Sequence, residues 1–318
     1  MSDHTSAAFA WKADSFPFSD YVVDFKAADL AACREEVRSG KGVVILRGLP
    51  VDGPLEAFIE AVSEIGRHFG QPLSQNAQGE LVTHVIDATR EDPTPRMYRS
   101  NLELRPHNDI TAMIALACWQ KAQSGGASVV VSGVTVHDEM RRRAPHLLER
   151  LYRGYHYHRL GEEGPAEEPA TPYRVPVFSA RRGQLSCRYQ RSGIAAGHRQ
   201  LGIALAAEDI EAFDLFDAIA KAPENRLSFH LERGDMMVIN NYTVMHARTQ
   251  FTNYPEPGRE RRLIRLWLDA EGFRDVPPEF RLFPAANGVP PQKGKRATFD
   301  FRKLYADDPV ATGGVPKL

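Results

Sequence analysis

Two apolar runs dominate the middle of the chain, ITAMIALACW (110–119) and ASVVVSG (127–133), separated by Ser124-Gly125-Gly126. Apolar, β-rich runs separated by turn residues predict strands. Upstream, Leu30 to Val37 has helical spacing and GVVILRGL (42–49) reads as another buried strand. PLEAFIEAVSEIGRHFG (54–70) has the spacing of an amphipathic helix with Pro near its start and Gly at its end. ELVTHVID (80–87) follows as a strand. Downstream, the spacing predicts one long helix from about Val134 to Arg153, then strands PVFSA and QLSCRYQ joined at Arg182-Gly183, and a helix from Glu208 to Ala222. Three further strands complete the pattern: LSFHL (227–231), DMMVIN (235–240) after a turn at Gly234-Asp235, and RRLIRLWL (261–268).

A β-rich centre interrupted by helices predicts a mainly β fold, a sandwich or barrel with helices packed outside. The chain shows no repeat and no linker, so one domain is expected over 1–318. Its β-rich core runs from about 42 to 268, and a Pro- and Gly-containing tail from about 275 to 318 is expected to wrap the surface.

Charge narrows the partners. A formal net charge of −1 and a pI of about 6.8 leave no bulk charge for holding nucleic acid or an anionic membrane. The Arg run 141–143 falls in helical sequence and is expected to form a solvated face. The longest uninterrupted apolar stretch, Met113 to Trp119, is far shorter than a membrane span, and the N-terminus lacks the basic and apolar regions of a secretory signal. Cys33, Cys118 and Cys187 are odd in number and scattered, which speaks against a disulfide framework and fits a reducing cytoplasm. Cys118, inside the apolar run, is expected to be a buried small hydrophobe.

Candidate chemistry begins at His107 and Asp109. A His-x-Asp pair arises about once by chance in a chain of this size, so geometry has to decide. On a strand, residues i and i+2 share a face, whereas on a helix they lie about 200° apart and cannot chelate one ion. Pro106 disfavours helix at its own position and at the one before it, so His107 and Asp109 pass this test. His137-Asp138-Glu139 lies in helical sequence and fails it. Tyr155-His156-Tyr157-His158 lacks a carboxylate at useful spacing and is assigned to packing or surface roles.

Two histidines and one carboxylate on one face, with open positions, are the ligand set of non-haem Fe(II) oxygenases. The distant His246, just beyond a predicted strand, is the candidate third ligand. In RRLIRLWL, alternation puts Arg261, Leu263, Arg265 and Trp267 on one face. Two arginines inside an apolar strand are costly to bury without anionic partners, and a dicarboxylate cosubstrate supplies one.

His107-x-Asp109, Gly125-Gly126-Ala127-Ser128, NNYTVMHARTQF (240–251) and RRLIRLWL, in this order and spacing, resemble the TauD/TfdA group of Fe(II)/2-oxoglutarate-dependent dioxygenases. The resemblance runs from about Gly42 to Leu268 and implies a double-stranded β-helix (jelly-roll) core decorated with helices. It implies His107, Asp109 and His246 as iron ligands, with Arg261 and Ser128 on the distal carboxylate of 2-oxoglutarate. Arg265 matches a second arginine near the iron that meets substrate or cosubstrate, and the choice of Arg261 over Arg262 or Arg265 rests on strand register. The implied cofactors are Fe(II), 2-oxoglutarate and O2, and the implied reaction is oxidation of an unactivated C–H bond with release of succinate and CO2. Asp109 speaks against a halogenase, since related halogenases carry a small residue there.

Taurine-cleaving members carry Trp-His-Thr-Asp where this chain has Pro106-His107-Asn108-Asp109, so a sulfonate is not implied. The expected substrate is a small polar molecule bearing a carboxylate or an amine. Asn101, Glu103, Leu104, Arg191, Asn241 and Arg248 are the candidate contacts to it. Asn108 has no assigned role, and self-association stays open. The alternatives are a non-catalytic jelly-roll binding module and a zinc hydrolase using the same His/Asp/His set.

Overall fold

The computed structural model describes residues 7–92, 95–284, 287–295 and 299–300. In chain order the strands are β1 (Val22–Asp24), β2 (Val43–Arg47), β3 (Gln71–Leu73), β4 (Val82–Val85), β5 (Leu104–His107), β6 (Met113–Gln120), β7 (Ser124–Gly125), β8 (Ser128–Ser132), β9 (Phe178–Arg181), β10 (Gln184–Cys187), β11 (Arg226–Phe229), β12 (Met236–Asn240), β13 (Val244–Arg248), β14 (Phe251–Thr252) and β15 (Arg262–Asp269). The helices are α1 (Leu30–Ser39), α2 (Leu55–Phe69), α3 (Gly133–Arg143), α4 (Pro145–Arg153), α5 (Arg191–Leu201) and α6 (Ala207–Lys221).

Two sheets carry the fold. The larger runs β1-β2-β12-β6-β15-β3, with β4 also paired to β15, and the smaller runs β11-β8-β13-β5. Every pairing in them is antiparallel except that of β1 with β2. From β5 onward the chain winds between the sheets: β5 and β8 in the smaller flank β6 in the larger, and β11, β12, β13 and β15 then alternate likewise. This is the winding expected of a double-stranded β-helix.

The apolar runs are explained by burial of the larger sheet on both faces. Ile114, Leu116 and Cys118 of β6, Met237 and Ile239 of β12, and Leu263 and Trp267 of β15 point into the core shared with Val129, Val131 and Val244 of the smaller sheet. Their alternates Met113, Ala115, Ala117, Met236, Val238, Ile264, Leu266 and Leu268 pack instead with Val37 of α1 and Phe58, Val62, Ile65 and Phe69 of α2. A period-two pattern with both faces apolar reads as one continuous hydrophobic run.

Three expectations are corrected. The helix expected over Val134 to Arg153 is two helices, broken at Ala144 (φ −152°, ψ 72°) because Pro145 excludes its predecessor from helical geometry. Helix α5 has no counterpart in the sequence reading, since Gly193 and Gly197 lower its intrinsic propensity. Gly197 is required by packing, because a Cβ there would lie 2.4 Å from the carbonyl oxygen of His156. The described part of the tail does more than wrap the surface: Phe280, Leu282, Phe283 and Val289 are all buried. The rest of the tail, 301–318, lies outside the described residues.

The Arg run 141–143 is exposed as expected, with Arg142 and Arg143 reaching back to Glu139. All three cysteines are buried and free. Among the described residues, no helix is long and apolar enough to cross a membrane.

Candidate active site

Strand pairing brings His107 and His246 together. They are directly opposed partners on β5 and β13, with ring centroids 4.3 Å apart. Asp109 follows two residues after His107, and its Oδ1 lies 3.6 Å from His107 Nε2. Among the described residues, these three form the one group of His, Cys, Asp or Glu side chains whose ligand atoms lie within 4.8 Å of one another.

His107 and Asp109 each have one polar atom restrained and another left over, and His246 has an unpartnered ring nitrogen. His107 Nδ1 lies 2.8 Å from the carbonyl oxygen of Arg105, an acceptor, so this nitrogen carries the proton and Nε2 keeps its lone pair. Asp109 Oδ2 accepts from Arg265 Nη1 (3.1 Å) and Trp267 Nε1 (2.9 Å), which leaves Oδ1 facing His107. His246 is buried, and its Nδ1 has no hydrogen-bond partner.

Electrostatics hold Asp109 and His246 in the forms a cation requires. Burial alone would raise the Asp109 carboxyl, but the adjacent Arg265 guanidinium holds it far below the ordinary carboxylate range. Burial and the neighbouring His107 depress His246 to about 3, so its ring is neutral.

Burial likewise lowers His84, His158 and His198. In each case the folded value lies below the unfolded one, so the unfolded chain takes up protons that the folded chain refuses. The stability these groups contribute is present above about pH 6.5 and is lost as pH falls. The Tm of the metal-free protein should therefore drop between pH 7 and pH 5, with His246 alone accounting for about 2 kcal/mol at pH 5. A flat Tm across this interval would mean that these imidazoles are not held neutral by burial.

A cavity of about 350 Å³ opens on the trio, and Ser128, Arg248, Arg261, Arg265 and Trp267 line it. Arg265 is spoken for, since its Nε donates to Gln75 Oε1 (2.8 Å), Nη1 goes to Asp109, and its guanidinium lies 4.3 Å from the Tyr98 ring centroid. Arg261 is different. It is 4 % exposed, its Nη1 has no partner, and its guanidinium sits 5.0 Å from the Phe251 ring centroid. Burial lowers it to about 10. Gly126 makes room for it: with φ +70° and no side chain, it leaves free a position only 3.0 Å from Arg261 Nε.

Glu103, Leu104, Arg191 and Arg248 line the cavity, whereas Asn101 and Asn241 do not. The Asn101 carbonyl accepts from the Phe251 amide. Asn241 is fully buried, its Nδ2 donates to the carbonyls of Asp109 (2.6 Å) and Thr111 (2.7 Å), and its Oδ1 accepts from the Asp109 amide. Arg191 is engaged by Asp214 and Asp217.

Asn108 now has a role. Its side chain donates to the Asn241 carbonyl (2.8 Å) and accepts from the Tyr189 amide (3.0 Å). With Asn241 it ties the ligand-bearing segment to the turn that precedes His246. Sequence reasoning missed Gln75, Tyr98 and the hydrogen bond of Trp267. Gln75 and Tyr98 stand in no motif, and Trp267 had been placed on the correct face without a partner.

The rival clusters are engaged elsewhere. His137 contacts Tyr152 from helix α3 (Nε2 to OH 2.9 Å), His156 Nδ1 lies 2.8 Å from the Thr171 carbonyl, and His158 Nδ1 accepts from the Leu160 amide.

Comparison with known proteins agrees with this geometry. The family model described as Taurine catabolism dioxygenase TauD, TfdA family matches residues 4–267. FR-33289 synthase of Streptomyces rubellomurinus (strain ATCC 31215) is 34% identical over 255 residues, covering 78% of this chain and 75% of the relative. Among solved structures, asparagine oxygenase in complex with Fe(II), 2S,3S-3-hydroxyasparagine and succinate shares the fold, with a TM-score of 0.56 at 19% identity over 76% of this chain and 77% of that one. The non-heme iron oxygenase OrfP in complex with Fe and alpha-ketoglutaric acid does so too, with a TM-score of 0.56 at 15% identity over 82% and 84%. The chain belongs to the TauD/TfdA family of dioxygenases, enzymes that work with Fe(II), 2-oxoglutarate and O2.

Proposed function

We propose that this chain oxidises an unactivated C–H bond of a small polar substrate bearing a carboxylate or an amine, while 2-oxoglutarate is converted to succinate and CO2. The observation that carries the reading is one cavity holding both a His107/Asp109/His246 trio and a buried, unpartnered Arg261. The donor set fits Fe(II): two imidazoles and one carboxylate on one face would hold the ion and leave room for the cosubstrate and O2. Fe(II) and 2-oxoglutarate, when bound, supply with O2 the oxidising power that no side chain has.

The remaining work falls to the protein. His107 Nε2, Asp109 Oδ1 and a ring nitrogen of His246 hold the ion, and Arg265 and Trp267 fix the carboxylate by its other oxygen. Arg261 and Ser128 receive the distal carboxylate, and Arg261 is favoured over Arg265 because the Arg265 Nε and Nη1 are already committed. Val85, Leu104, Ile110 and Leu282 give the cavity apolar walls that restrict water, while its arginines suit an anionic group. The hydroxylated amino acids bound to asparagine oxygenase and to OrfP are of this small, polar class.

The test is anaerobic. Fe(II) and 2-oxoglutarate added to the metal-free protein should produce the weak visible charge-transfer band of the chelated pair. A zinc hydrolase or a binding module gives no such band, and its absence from the wild type would overturn the reading. A panel of amino acids and small carboxylates scored by succinate formation then identifies the substrate.

A further inference from the structure

The sequence reading placed Arg248 among the substrate contacts, but its surroundings point elsewhere. It follows His246 by two residues on β13 and pairs across the strands with Ser128. It is 5 % exposed and lines the same cavity as Arg261. Its Nη2 donates to the carbonyls of Ser100 (2.8 Å) and Leu102, which fixes the guanidinium in place, while Nε and Nη1 are enclosed without a partner.

Arg248 and Arg261 lie against one ring, with guanidinium carbons 4.7 Å and 5.0 Å from the Phe251 centroid. Two guanidiniums buried against one ring repel each other, and burial of each carries a desolvation cost that an anion offsets. Among the described residues, neither side chain forms an ion pair.

We propose that Arg248 is a second cation of the cosubstrate site, acting with Arg261 on the distal carboxylate of 2-oxoglutarate rather than on the molecule being oxidised. This rests on the reading of the cavity as a 2-oxoglutarate site. One carboxylate at Arg261 relieves both charges at once, because Arg248 is held at the Arg261 end of the cavity by Phe251 and Ser128. The Arg265 end, at Asp109, is four residues or roughly 13 Å further along extended chain.

The experiment is an anaerobic titration of the Fe(II)-loaded full chain, read by the charge-transfer band, with 2-oxoglutarate and separately with 2-oxovalerate, which has the same length but no distal carboxylate. Arg248→Gln should weaken 2-oxoglutarate binding at least tenfold and leave 2-oxovalerate within twofold of wild type. Arg248→Lys, which keeps the charge, should recover most of the loss. In thermal scans, the increase in Tm that 2-oxoglutarate gives should shrink in Arg248→Gln.

Wild-type affinity for 2-oxoglutarate in Arg248→Gln overturns the proposal. So does an equal loss for both oxo acids, which is the signature of a scaffold role through Ser100 and Leu102. If Arg248→Gln does not fold, Arg248→Lys decides: an equal loss for both oxo acids in that variant also overturns it. Failure of the wild type to give any band with 2-oxoglutarate is a distinct result, and refutes the cosubstrate reading itself.

Discussion

Asp109→Ala is expected to eliminate the Fe(II)–2-oxoglutarate band and to lower succinate formation by more than about 100-fold. Loss of outer groups that merely orient metal ligands costs 10–100-fold, and Asp109 is placed as a ligand. The same change should also destabilise the fold. Arg265 is 5 % exposed and donates to Asp109, so removing the carboxylate leaves a buried cation without its partner, a loss of about 3–5 kcal/mol. Asp109→Asn separates the two effects, because it keeps the volume and one acceptor oxygen for Arg265 and Trp267 while removing the negative charge. Iron stoichiometry and thermal unfolding, measured on both variants, check the expectation. An unchanged band in Asp109→Ala would show that the ion is held elsewhere.

Arg261→Met is expected to raise the Kd for 2-oxoglutarate while leaving iron binding intact. Removing one partner of a buried charge pair costs about 2–5 kcal/mol, which corresponds to roughly 30-fold up to several thousand-fold in affinity. Arg261→Lys should not restore binding, because a point charge on a flexible stem does not reproduce the planar guanidinium fitted between Gly126 and Phe251. Band titration with 2-oxoglutarate measures the effect. If Arg261→Met binds like wild type and an Arg265 variant does not, the anchor has been assigned to the wrong arginine.

Much of this was legible in the sequence, because the period-two pattern and the site coincide. The alternation in RRLIRLWL put Arg261, Arg265 and Trp267 on one face, and Trp267 and Arg265 do converge on Asp109. The strand-or-helix test put His107 on a strand and His137 on a helix, as found, while Asp109 falls just beyond the end of β5. What stayed hidden was contact across the sheets. Nothing near Gln75 in the chain shows that it meets Arg265, 190 residues away, and Asn101 and Asn241 looked like site residues because they lie near one in the chain. Local pattern also failed at α5, where two glycines lower helix propensity but allow close packing on the neighbouring backbone.

The opposed positions of His107 and His246 on β5 and β13 have one more consequence. The bite between the two imidazoles is set by the spacing of neighbouring strands, so the site needs no rearrangement to accept an ion. A slip of either strand by one residue would turn its histidine to the opposite face. On the proposed reading, a chain folded out of register would therefore lack the paired histidines that hold the iron.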